Sequence, residues 1–204
     1  MITFLVLLPL LALQEASSAP VAAQSDGSPT QSVDVDVKVI CFPHDAKIPD
    51  DDQAIGQFLA TPESQASRIW SNAYVCSTLS GFEAMISSGQ NISVVSGMTV
   101  MGNGAATPVL RTQQTGSLLK VRPVVKGDRV EAKLTIESSR YERAATSDKP
   151  MDEMRDSVVR NFQYEGSVAT KFGATEYIVV EQENPGKPDE TRRYVLVVSM
   201  KVGE

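Results

Sequence analysis

The 204-residue chain holds one histidine, one tryptophan and two cysteines. His44 stands alone in a Pro-flanked turn beside Asp45, so a histidine-based catalytic centre or a His-paired metal site lacks its members. Cys41 and Cys76 allow at most one disulfide and no cysteine-rich metal cluster. Basic residues are not in excess: 19 Lys and Arg against 25 Asp and Glu leave a net charge of −6, which offers no electrostatic footprint for nucleic acid. No Gly-x-Ser-x-Gly elbow or nucleotide-binding loop occurs, and Gly102-Asn103-Gly104 lacks the Lys-Ser/Thr of a phosphate loop. Asp50-Asp51-Asp52 lacks the alternating ligands, central Gly and distal Glu of a calcium loop, and reads as acids at the start of a helix. An enzyme is therefore the least expected class, with no catalytic residue, cofactor or metal ligand to nominate.

Long apolar runs are missing too. Phe4 to Leu13 is apolar but shorter than the about 20 residues of a spanning helix. Small residues follow, with Val21 and Ala23 placed for cleavage after Ala23, so residues 1–23 read as a signal peptide and the protein as exported. The basic n-region is absent, so either the true start lies upstream or the amino terminus supplies the charge. Residues 24–32 read as a flexible linker and 33–204 as one domain.

What is present is β-pattern. Val33, Val35, Val37 and Val39 alternate with Asp34, Asp36 and Lys38, a strand with one dry and one wet face. Asp34 and Asp36 are read as part of the wet face rather than as metal ligands, and the strand as an edge open to docking or one paired within the fold. Helices are expected after Asp52, after Thr61-Pro62 (with Ile69, Trp70 and Ala73 on its apolar side), from Gly81 to Ser88, and from Lys149 to Asn161. Trp70 is read as a core filler. Short strands are expected at Tyr74–Thr78, Ile92–Ser96, Met98–Met101, Ala105–Leu110, Phe162–Thr170 and Tyr177–Glu181, with an apolar closing strand from Arg193 to Val202. The strongest signal runs from Gly116 to Ser138. Val130, Ala132, Leu134 and Ile136 alternate with charged residues, Leu119, Val121 and Val125 line the preceding arm, and Gly127-Asp128 makes the turn. Pro123 places its arm at an edge or a bulge.

The run Thr107-Pro108-Val109-Leu110-Arg111, then Thr115-Gly116-Ser117-Leu118-Leu119-Lys120-Val121-Arg122-Pro123 and the hairpin, resembles the carboxy-terminal core of the bacterial secretins. These are the outer-membrane ring proteins of type II and type III secretion and type IV pili. The motif positions are Pro108, Gly116, Leu119, Val121, Pro123 and Gly127. The chain departs from the family in the stretch after Phe172, which lacks the closing Gly-Leu, and in having no room between Leu110 and Gly116 for long membrane-inserting hairpins. None of the ring-building amino-terminal domains is expected either. The resemblance implies an α+β domain, mainly antiparallel sheet with a few short helices. It further implies a non-enzymatic envelope protein, periplasmic or beyond, serving a secretion or pilus-like assembly through protein partners or self-association. A free-standing binding module that reuses the fold is the alternative, and neither reading needs an integral membrane span. If the protein is exported, Cys41 and Cys76 form either a bridge or two free thiols.

Overall fold

The computed structural model describes residues 31–102, 106–142, 158–183 and 191–203. The expected signal peptide, the tips of two connections and the Asn184–Asp189 loop lie outside the described residues. Among the described residues eight strands form two four-stranded antiparallel sheets. The first has the order β2-β1-β8-β7, built from β1 (Ser32–Pro43), β2 (Trp70–Leu79), β7 (Thr175–Gln182) and β8 (Arg192–Val202). The second has the order β3-β4-β5-β6, from β3 (Ala84–Val100), β4 (Ala106–Lys126), β5 (Arg129–Glu142) and β6 (Val158–Lys171).

Alternation explains how the sheets face each other. Val33, Val35, Val37 and Val39 from β1, with Leu196, Val198 and Met200, pack against Leu119, Val121, Val130, Ala132, Leu134 and Ile136 of the second sheet. The opposite face of the first sheet is apolar near Ile40, Phe42 and Val195, where Ile48 of the preceding loop and Ile55 of helix α1 (Asp52–Ala60) cover it; helix α2 (Pro62–Ser67) follows α1. That is why β8 reads apolar on both sides: it is a central strand under two layers. β1 is central as well, paired with β2 and β8 along its length, so the valine strand is not an open docking edge.

The helix starts are legible chemistry. Asp51 caps α1 by accepting from the Ala54 amide (3.0 Å). Thr61 ends α1 and caps α2, donating its own amide to the Phe58 carbonyl and accepting from the Ser64 amide through Oγ1 (3.1 Å). Thr61→Ala is expected to cost about 1 kcal/mol, seen as a lower denaturant midpoint at unchanged slope.

Four expectations are corrected. α2 stops at Ser67, and Trp70 opens β2 instead of extending a helix. Residues 84–88 belong to β3, although Phe82, Met85 and Ile86 have helical spacing. Pairing with β4 decides the matter, burying Ile86 against the core and leaving Met85 and Phe82 each 61% exposed. Val158 to Asn161 open β6 rather than close a helix, and the rest of that expected helix lies outside the described residues. The separate short strands between Ile92 and Leu110 are parts of one long hairpin, bent by a bulge between Val95 and Gly97.

Candidate functional site

Five of the six motif residues, Pro108, Gly116, Leu119, Val121 and Pro123, lie on the 21-residue strand β4, and Gly127 follows it. Leu119 and Val121 are buried in the core. Gly127, at φ +62°, takes the first central position of the two-residue turn joining Lys126 to Arg129, the place where a type II′ turn requires glycine. Pro123 lies beyond the last β3 pair, Ala84 with Val121, so its missing amide costs no ladder bond.

Gly116 marks a division of the second sheet. β4 pairs with β5 only from Gly116 (opposite Ser139) to Lys126. From Ala106 to Thr115 it pairs with β3 alone, while β5 runs on to Glu142 paired only with β6. Two arms thus leave the sandwich at one fork. The β3–β4 arm continues for ten β4 residues, about 34 Å, as a two-stranded ribbon. The Gly89–Gly116 pair lets the two backbones close up at the fork: a Cβ on Gly116 would stand 2.2 Å from the Ser88 carbonyl oxygen.

Backbone directions follow from four fixed bonds. The Pro123 carbonyl accepts from the Gly81 amide (2.6 Å) and the Val125 amide donates to Ser80 Oγ (3.0 Å), so odd-numbered residues of β4 point away from β5. Even-numbered ones point toward it, and above Gly116 toward the fork. On β3 the odd residues Met85, Ser87, Gly89, Asn91 and Ser93 then present their amides and carbonyls to the outer edge. On β6 the Asn161 carbonyl accepts from Gln182 Nε2 (2.9 Å), which fixes the odd residues from Val159 to Lys171 as edge-facing. β3 and β6 are the free edges of the second sheet among the described residues. They run in opposite senses, as the first and fourth strands of an antiparallel sheet must.

The outer face of this sheet is charged and wet below the fork. Lys126 pairs with Glu131 (2.5 Å) and Lys133 with Glu165 (2.9 Å). The Lys133 ammonium holds the Glu165 carboxyl below the usual range, and Glu165 raises Lys133 in turn. Toward the arm tip the ribbon turns apolar on both faces, with Val100, Met101, Val109 and Leu110 exposed.

At the fork end of the sandwich, Phe162 stacks on Tyr194 at 4.1 Å and the Arg140 guanidinium lies 4.5 Å over Trp70 while bonding Asn72. Trp70 packs on the core, as read from sequence. Glu142 pairs with Arg160 (2.5 Å) and lies 3.7 Å from Arg192. His44 is exposed in its turn. No cluster of three or more His, Cys, Asp or Glu able to hold a metal occurs among the described residues.

The two cysteines are free. Cys41 stands opposite Trp70 and Cys76 opposite Val35, six residues apart along β1, about 20 Å, whereas a bridge needs Cα atoms within about 7 Å. Both thiols should react after denaturation without reductant. Burial pushes the Cys41 thiol up to about 11, and burial with the neighbouring Cys41 pushes Tyr194 up as well. A thiol whose pKa is raised on folding stabilises fully below its unfolded value near 9.0 and loses that contribution as pH rises through 11. We expect about 2–3 kcal/mol to be lost between those limits, read from denaturation midpoints at pH 8 and pH 11, with Cys41→Val removing that part of the slope.

No protein-family model matches the chain, and no curated protein does. Solved structures do. The chain is similar to the secretin-domain β-barrel of InvG from the Salmonella SPI-1 injectisome, at 10% identity and TM-score 0.48 over 87% of this chain and 64% of that one. It is similar to PilQ, the type IV competence pilus secretin of V. cholerae, at 12% identity and TM-score 0.40 over 86% and 62%. It is similar to GspD, the type II secretion system secretin of E. coli K12, at 13% identity and TM-score 0.43 over 87% and 51%. The chain spans less than two thirds of each of these proteins.

Proposed function

We propose that this protein is a non-enzymatic module of the cell envelope that works by pairing sheet edges, as a component or accessory of a secretion or pilus-like assembly. The observation that carries the reading is the pair of long, opposed edges, β3 and β6. Because the two strands run antiparallel, β6 of one copy can pair with β3 of the next in the same sense as every pair within the sheet. Repetition of that contact, with a rotation that closes, gives a ring and removes both edges at once. The β3–β4 ribbon supports the same conclusion, since an isolated two-stranded hairpin is marginal in water and gains stability from a neighbouring strand. The motif on β4 and export of the chain belong to this reading. No helix among the described residues is long and apolar enough to cross a membrane, a fact that says nothing about strands.

Static light scattering of the purified protein, with and without detergent, tests the proposal. A ring-sized mass is expected. A compact monomer in both conditions would replace it with the free-standing envelope binding module, for which the fork is the natural contact surface.

A further inference from the structure

The fork is open through the thickness of the sheet. On one face a cavity of about 570 Å³ is bounded by Ser88, Gln114, Ser139, Asn161 and Gln163 around bare Gly89 and Gly116. On the other, a space of about 520 Å³ is bounded by Asn72, Gln90, Thr115, Ser138 and Arg140 around the same glycines. Ser88, Gly89, Thr115, Gly116, Ser117, Ser138 and Ser139 belong to both. A ligand resting on one face of a sheet needs no opening on the other; a strand lying in the plane does. Along the β4 side of this opening, Leu110, Thr112 and Gln114 direct both amide and carbonyl into the fork, and on the β5 side Tyr141 does the same. These groups pair with no strand among the described residues. The side chain of Ser138 adds an independent sign: it is 4% exposed, lines the opening, and its hydroxyl has no hydrogen-bond partner.

We propose that the fork between β4 and β5 binds an extended segment of a partner protein as an added strand, in the plane of the sheet and antiparallel to β4 along its longer free edge. Backbone pairing with Thr112 and Gln114 supplies the register. The lining selects the side chains. It is mostly Ser, Thr, Asn, Gln and Gly, joined by Leu118, Phe162 and Glu137 on one face and by Ile92, Tyr141 and Arg140, the last already engaged by Asn72 and Trp70, on the other. Hydroxyl, amide and glycine residues outnumber apolar ones on both faces, and the single charges there, Glu137 and Arg140, are of opposite sign, so the segment carries small, uncharged polar residues. Pro108 occupies one of the fork-facing positions of β4, where its missing amide costs the β3–β4 ladder nothing. This site goes beyond edge assembly: a monomeric protein that binds the segment would sink the ring and leave the fork, and a ring that does not bind it would do the reverse.

The probe is a fluorescein-labelled decapeptide of alternating threonine and glutamine, added to the full-length protein and followed by fluorescence anisotropy. Saturable binding is expected. Thr112→Pro, which removes a fork-facing amide at a position equivalent to that of Pro108, should weaken it about tenfold while circular dichroism stays that of the wild type. Ser138→Ala should weaken it about threefold without lowering the melting temperature, because the lost hydroxyl had no partner. The same decapeptide N-methylated at alternate residues should not bind the wild-type protein, a readout that does not depend on any variant folding. Absence of saturable binding, equal binding of the N-methylated peptide, or full binding by a folded Thr112→Pro protein would overturn the proposal. Tighter binding of this chain's own Ile92–Val100 peptide would overturn the partner and make the occupant a second copy.

Discussion

Gly116→Val is expected to destabilise the protein by about 3 kcal/mol or more, because the new Cβ would meet backbone and not a side chain that can move aside. It would lie 2.2 Å from the Ser88 carbonyl oxygen and 2.6 Å from the Gly89 Cα. Relief requires β3 and β4 to part at the point where the ribbon leaves the sandwich, so the pairs above the fork go with it. At about 2–4 °C per kcal/mol for a domain of this size, the melting temperature should fall by about 6–12 °C in a thermal scan followed by circular dichroism. Gly97→Ala is the matched control. It lies on the same ribbon with nothing within 4 Å of its added Cβ, and should change stability by no more than about 0.5 kcal/mol. Equal effects at the two positions would show that the close approach at Gly116 carries no energy.

The second large effect concerns assembly. Ser87 and Ser93 direct their amides to the outer edge of β3, so proline at both removes two edge donors and leaves the ladder to β4 in place. The double variant Ser87→Pro/Ser93→Pro is expected to reduce a ring-sized particle to monomers in light scattering, with its circular dichroism retained. Ser88→Pro, one residue away, removes an amide that bonds β4 and should unfold the hairpin instead. The contrast between adjacent positions separates loss of an interface from loss of the fold. A double variant that stays ring-sized would mean that contacts other than the β3 edge hold the copies together.

Sequence reading was most reliable where one residue type does one local job. Period-two valines built β1, Gly127 built its turn, Thr61 capped its helix as expected, and the acids Asp50–Asp52 stand at a helix start. It failed where a partner distant in sequence decides. Phe82, Met85 and Ile86 satisfy a helical period, but β4, more than thirty residues on, pulls residues 84–88 into a strand. For β1, alternation reports one dry face and not how many neighbours a strand has, so it left an open edge and an internally paired strand both standing; β2 and β8 occupy both of its sides. The motif on β4 was visible, yet the fork was not. It arises from the offset between two registers, β3–β4 ending at Val100 and β4–β5 ending at Gly116, and no residue pattern encodes that offset. The nearest sign was Gly116 itself, a glycine inside a strand pattern, which marks a close backbone approach. The cysteine question was likewise a matter of register: both thiols face the core, and six residues of β1 separate them.

Amide hydrogen exchange of the purified particle tests edge pairing most directly. Within β3, the even residues Ile86, Ser88 and Gln90 bond β4 in any state, while Ser87, Asn91 and Ser93 bond nothing unless a neighbour pairs with the edge. On β6 the corresponding groups are Gln163, Glu165 and Ser167. The account predicts that in the assembled protein these odd-numbered amides exchange as slowly as the even ones beside them, and that they alone become fast in the Ser87→Pro/Ser93→Pro monomer. Fast exchange at Asn91 and Glu165 within an intact particle would contradict it.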